Sequence, residues 1–149
     1  MGVAGIADAQ APEVIRRLQP MTAGIQPITD EERGARREKA RRLMHENSIG
    51  AVIMEPGSSM FYFTGRREDI LLLPARGEPV WIDSDQKIAQ ALKDRGLATG
   101  RTGIEERVRF AVFDALRKQA PAAEFVIADP VTAGCRMIKA VPLDLIYQP

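Results

Sequence analysis

The chain has 149 residues, enough for one domain with a proper buried core. It is 45% hydrophobic and 28% charged with a net charge of +1, so no whole-molecule field points it toward nucleic acid or an anionic membrane. Its single cysteine, Cys135, excludes an internal disulfide, and its apolar runs are too short to span a bilayer.

Residues 1–28 read as an N-terminal arm. Ala7-Asp8-Ala9 has the small residues of a signal-peptide cleavage site, but no basic start or long apolar run precedes it. A cytoplasmic protein is expected, or a periplasmic, exported one if residues 1–10 are the end of a signal peptide. Pro12 to Leu18 is expected to form a short helix with proline in its first turn, and residues 19–28, with Pro20, Gly24 and Pro27, to form a linker.

The first long helix is expected to start at Thr29. Thr29 and Glu32 have capping-box spacing, and Asp30 and Glu31 suit the positive end of the helix dipole. Ala40, Leu43 and Met44 face inward, and Glu32 with Arg36 and Glu38 with Arg42 stand four apart, in ion-pair position. Asn47 to Gly50 ends the helix. Ala51 to Met54 is a continuous apolar run, the pattern of a strand buried on both faces.

Pro56-Gly57-Ser58-Ser59 breaks this strand, and the cluster Phe61-Tyr62-Phe63 leads into Gly65, which can adopt a backbone conformation closed to other residues. Ile70–Leu73 and Val80–Ile82 are expected to pair as a hairpin around Gly77. Asp83 can cap a helix whose apolar stripe is Ile88, Ala91 and Leu92, with Gly96 after its end. Val108, Ala111, Val112, Ala115 and Leu116 then mark one face of a helix stopped by Pro121. Phe125 to Ala128 is the last strand, and Asp129-Pro130 opens a final helix. Helices alternating with strands predict an α/β fold.

The marks Tyr62, Thr64 and Gly65, followed near the C-terminus by Arg136, Ile138 and Lys139, resemble the "Y-x-T-G" and "R-x-I-K-S" motifs of the N-terminal domain of the creatinase/prolidase family. These pita-bread metallopeptidases include Xaa-Pro dipeptidases and aminopeptidase P. Gly103-Ile104-Glu105 resembles the family's "I-G-x-E" strand. The resemblance covers residues 29–140. It implies a three-layer sandwich with a mixed β-sheet flanked by helices and a ribonuclease H-like motif, followed by a tail, residues 141–149. Tyr62, Thr64, Gly65, Arg66, Arg136 and Lys139 stand at the family's motif positions, which form turns and an access loop near the partner subunit's active site. The residue after the glycine is usually aromatic in the family; here it is Arg66. The segments after Gly65 and after Ile82 are shorter than the family's.

The family's chemistry resides in a C-terminal catalytic domain that holds two divalent metals, and none of its ligand segments has a counterpart here. No catalytic residue, metal ligand or cofactor is therefore expected in this chain. His45, the only histidine, reads as a solvated residue near a helix end, Cys135 as a small buried residue, and Ser58-Ser59 as a turn. The basic group Arg33, Arg36, Arg37, Lys39, Arg41 and Arg42 is interleaved with acids and reads as a solvated face.

The expected function is thus that of a non-catalytic N-terminal domain of an Xaa-Pro dipeptidase- or aminopeptidase P-like protein. It would serve subunit assembly and access to a metallopeptidase site supplied elsewhere. The expected partner is a second copy, through Leu143, Leu145, Ile146 and Tyr147, or a metallopeptidase catalytic domain, with no nucleic acid and no membrane. Two alternatives are an active Xaa-Pro peptidase of which this is a fragment, and a small nucleic-acid-binding protein using the basic helix 33–42.

Overall fold

The computed structural model describes residues 24–137, together with Pro12, Glu13 and Arg17. The expected helix at Pro12–Leu18, Lys139 and the apolar tail from Leu143 to Tyr147 lie largely or wholly outside the described residues. Eleven elements follow in order: α1 (Asp30–Glu46), β1 (Ala51–Met54), α2 (Ser58–Thr64), β2 (Ile70–Pro74), β3 (Val80–Ile82), a 3-10 turn (Asp85–Lys87), α3 (Ile88–Asp94), β4 (Gly100–Ile104), α4 (Phe110–Gln119), β5 (Ala123–Ile127) and α5 (Asp129–Arg136).

The strands form one mixed sheet in the order β3-β2-β1-β4-β5. β1 is antiparallel to β2, with Val52 opposite Leu73, and parallel to β4, with Val52 opposite Gly103. β2 and β3 close the hairpin expected around Gly77, and β5 runs parallel to β4.

Alternation along the strands divides the core in two. Val52, Met54, Leu71 and Leu73 point to one face and pack with Ala40 and Met44 of α1, Met60 and Phe63 of α2, and Val131 and Cys135 of α5. Ala51, Ile53, Ile70 and Leu72 point to the other and pack with Ile88, Ala89 and Leu92 of α3 and Val112 and Leu116 of α4. Helices thus cover both faces of a mixed sheet, the three-layer α/β sandwich expected from the sequence. All four residues of β1 are fully buried, which explains why its sequence is continuously apolar rather than alternating. Gly103 sits beneath α5's start, where an added Cβ would lie 3.2 Å from the Ala128 Cβ and 3.2 Å from the Val52 Cγ2. That close approach is what a glycine in a strand interior permits.

Several local expectations are corrected. Ser58–Thr64, read as a break and an aromatic turn, is a helix; Met60 and Phe63 bury one side of it while Phe61 stays partly exposed. Burial of those two side chains outweighs the serine-glycine start. Asp83 does not cap α3. A 3-10 turn intervenes, and the Asp83 carboxylate instead accepts from Lys87 at 2.9 Å, which holds its pKa below the usual carboxylate range. Ala89 rather than Ala91 completes α3's buried stripe.

α4 begins at Phe110, so Val108 lies before it, and Ala111 is exposed. Asp129 is already the first residue of α5, whose cap position is Ala128. At the start of α1, Thr29 accepts from the Glu32 amide as expected, but the Glu32 carboxylate pairs with Arg36 instead of reaching back. Glu38 pairs with Arg41 rather than Arg42.

Leu72 is fully buried at the centre of the second core cluster. We expect Leu72→Ala to cost about 2–5 kcal/mol, from lost burial and the residual cavity together. Urea unfolding followed by circular dichroism measures it, and a loss under about 1 kcal/mol would contradict this packing.

Candidate functional site

The motif residues gather where α1, α2 and α5 meet. α2 is only two turns long, and its last carbonyls lack helical partners. The side chains of α1 supply them: Arg36 donates to the Tyr62 carbonyl at 3.0 Å and Arg37 to the Phe63 carbonyl at 2.9 Å. Two guanidinium groups therefore sit at the negative end of α2. Arg36 also lies over the Tyr62 ring, 4.2 Å from its centroid, and that ring meets Phe63 edge-on at 5.0 Å.

The Tyr62 hydroxyl donates to the Cys135 carbonyl at 3.1 Å, in the last turn of α5, and Lys39 donates to the same oxygen at 3.2 Å. One basic helix thus closes the C-terminal ends of two others. Of the six basic residues in the cluster, Arg33, Arg36, Arg37, Lys39 and Arg41 all have partners within the chain. The expectation of a solvated face is corrected for these five, whereas Arg42 is exposed.

Thr64 and Gly65 end α2. The Thr64 hydroxyl lies 2.7 Å from the Met60 carbonyl and accepts from the Arg66 amide at 3.1 Å. Gly65 has φ +73°, and an added Cβ would stand 2.7 Å from Nε of Arg33. Glycine there meets both a left-handed backbone and a close guanidinium. Arg66 turns away from α1 and stacks over Trp81 of β3 at 4.1 Å, while Arg67 covers Phe61 at 4.6 Å. Arg136 is half-buried in the last turn of α5, close enough for its charge to favour ionisation of Tyr62. The structure therefore brings Tyr62, Thr64, Gly65 and Arg136 to one junction and sends Arg66 to the hairpin.

Burial is the main cause that pushes the Tyr62 phenol above its ordinary value of 10.0, against the opposing pull of Arg36. Burial likewise raises the Cys135 thiol, so little thiolate forms near neutral pH. Cys135 is a packed core residue, and His45 is exposed in the last turn of α1, both as read from the sequence.

A second polar group lies at the carboxyl ends of β1 and β4. The chain leaves β1 toward the α1 side of the sheet and leaves β4 toward the opposite side, so the two connections diverge there. Glu105, 4% exposed, accepts from the Ser59 hydroxyl at 2.8 Å and from the Arg107 amide at 2.9 Å. Glu55 accepts from the Arg109 amide at 2.6 Å and its guanidinium at 2.7 Å. Each carboxylate of this pair has protein donors, and Ser59 is committed to a buried bond rather than to a free nucleophile or phosphate contact. Sequence reading passed over Glu55 and Arg109; the only signal is that Glu55 places a charge directly after a buried strand. Among the described residues, no three His, Cys, Asp or Glu side chains group as a metal would require, and no helix is long and apolar enough to cross a membrane.

The fold and this junction define an α/β domain whose motif residues are joined to one another rather than opened into a cleft. Residues 76–138 match the family model of the creatinase/prolidase N-terminal domain. The solved structures with the same fold include a dipeptidase from Pyrococcus horikoshii OT3 (TM-score 0.62, 23% identity, 72% of this chain and 38% of that one). A recombinant prolidase from Thermococcus sibiricus matches at TM-score 0.64 and 18% identity, over 78% of this chain and 39% of that one. Dipeptidase PepE from Mycobacterium ulcerans matches at 0.66 and 21%, over 79% and 40%. Curated proteins gave no match. Residues 76–138 thus match a creatinase/prolidase N-terminal domain, as the sequence resemblance implied, and the solved structures share the fold of the chain. Arg136 lies inside the matched region, whereas Tyr62, Thr64 and Gly65 precede it. The chain spans about two fifths of the length of these solved structures.

Two measurements check the junction. Tyr62→Phe removes one of two donors to the Cys135 carbonyl, and we expect it to cost about 1 kcal/mol in urea unfolding. Arg36→Ala also strips a charged donor from α2 and should cost more, about 1.5–3 kcal/mol.

The raised phenol gives a pH test. The folded-state value exceeds the unfolded one, so its contribution is fully present below pH 10.0 and is lost as pH rises through the folded value. Ultraviolet titration of a Tyr147→Phe chain, which leaves Tyr62 as the only tyrosine, should show ionisation above pH 10.0. A midpoint at or below that value would contradict the buried placement.

Proposed function

We propose that this is a non-catalytic module of an Xaa-Pro dipeptidase- or aminopeptidase P-like system, serving assembly and shaping access to a metallopeptidase site carried by other polypeptide. The observation that supports it best is the combined match: a creatinase/prolidase N-terminal domain by sequence over 76–138, inside a fold shared with a prolidase and two dipeptidases. The junction supports the same reading. Its arginines, tyrosine and threonine are consumed in holding helices together, which is what a scaffold requires of them. Arg66 on Trp81 and Arg67 on Phe61 form the exposed part of the motif region and are the candidate access surface.

The nucleic-acid reading gains nothing from the structure, because five of the six basic side chains of α1 are engaged within the fold. Affinity for duplex DNA or RNA should be no better than roughly 0.1 mM at physiological salt. A fluorescence-anisotropy titration showing sub-micromolar affinity that is lost in Arg42→Glu would promote it instead.

The proposal itself is tested with the purified chain and an Xaa-Pro dipeptide in the presence of added manganese, cobalt or zinc. No turnover is expected from the chain alone. Metal-dependent hydrolysis that a chelator abolishes would overturn the non-catalytic assignment.

A further inference from the structure

We propose that the outer edge of β5 is a docking surface for β5 of a second copy, joining two sheets through an antiparallel pair about a two-fold axis. This deepens the assembly reading by naming a surface for it. Among the described residues β5 pairs with β4 alone. The Ala128 amide donates to the Ile104 carbonyl at 2.9 Å, so by alternation Val126 and Glu124 also turn their backbone groups toward β4. Phe125 and Ile127 turn theirs outward, as does the Ala123 carbonyl, whereas the Ala123 amide donates to the Ala120 carbonyl at 3.1 Å.

That edge has little to blunt it. It carries no lysine or proline between residues 123 and 127, and its one charge, Glu124, is held by Arg101 of β4 at 3.2 Å. Beside it lies apolar surface: Ile127 is 59% exposed and Phe110 74%. These two border an open groove of about 340 Å³ in which Phe113 and Phe125 meet edge-on at 5.7 Å.

Two arguments select a second copy. First, the connection that leaves β5 through α5 is poorly placed to add a parallel strand here. α4 links β4 to β5 across one face, whereas α5 leaves β5 on the other. A parallel strand outside β5 reached through α5 would have the opposite crossover hand to β4-α4-β5, and one hand accounts for about 98% of such connections.

Second, the strand is complementary to itself. With the axis at Phe125, Phe125 pairs with the partner's Phe125, and small Ala123 stands opposite the partner's Ile127, its carbonyl free to accept from that residue's amide. Glu124 meets the partner's Val126, so no like charges stand opposite one another. One five-residue strand and two exposed apolar side chains per copy make a small interface, so association belongs in the micromolar range or weaker rather than the nanomolar.

Sedimentation equilibrium of the full chain, combined with amide exchange, tests this. A dimer is expected as concentration rises, with the amides of Phe125 and Ile127 fast-exchanging when dilute and protected when concentrated. Ile127→Pro deletes an outward N–H while leaving the β4 ladder whole, and should abolish the dimer. Ile127→Lys, which keeps the N–H but charges the edge, should do the same and covers the case in which proline disturbs the strand.

A dimer that persists in both variants, with unchanged circular dichroism, would place the interface elsewhere and sink the β5 proposal while leaving the assembly reading intact. A monomer at every concentration would also overturn it, and so would protection of the Phe125 and Ile127 amides in the dilute monomer, since the chain would then cover its own edge. The assembly reading stands or falls separately, on whether the chain binds a purified prolidase catalytic domain.

Discussion

Everything in this domain is arranged around the complete burial of β1. A strand with no polar side chain and no exposed face contributes about 1.5–3 kcal/mol for each large residue removed from water, but only if both faces and both edges are occupied. The faces are filled by α1, α2 and α5 on one side and by α3 and α4 on the other. The edges are filled by β2 and β4, one antiparallel and one parallel. Each requirement dictates a stretch of sequence: a helix-bearing connection to β2, a tight hairpin to β3, and two crossovers that bring β4 and then β5 alongside.

The junction on the α1 face follows from that layering. Three helices packed over one side of a small sheet bring their ends together, and helix ends carry carbonyls that no turn satisfies. Long basic side chains on α1 meet this need because they can lie along apolar surface and still reach a carbonyl. The stacking of Arg36 on Tyr62, and the sharing of the Cys135 carbonyl by Tyr62 and Lys39, tie all three helices through a few atoms. Tyr62 therefore belongs to the framework, whatever surface the neighbouring Arg66 and Arg67 present.

Much of this was legible in the sequence, and the exceptions have physical causes. β1, the hairpin and the apolar stripe of α1 were readable because burial imposes a pattern over several residues. Ser58–Thr64 was not, because two turns of helix offer too short a window for a period of 3.6 to show against a run of aromatics. The role of the α1 arginines was visible in part. Arg36, Ala40 and Met44 stand four residues apart on one stripe, so Arg36 had to face inward with its charge; what it would bond to depended on a chain segment 26 residues away. Glu55 and Arg109 are 54 residues apart and meet only because β1 and β4 are neighbours, a fact of topology that no local pattern carries.

The same separation bears on how the domain comes into being. β1 can pair with β2 once residues 70–74 have been synthesised, but its other edge waits for residues 100–104. Until they emerge from the ribosome, four apolar residues flank an unpaired row of backbone groups, and the α3 side of the sheet lacks α4. The nascent N-terminal half is thus a half-covered sheet with a sticky inner edge. Translation rate between β3 and β4, and the presence of a chaperone over that interval, then become determinants of yield for a chain whose finished form hides that edge completely.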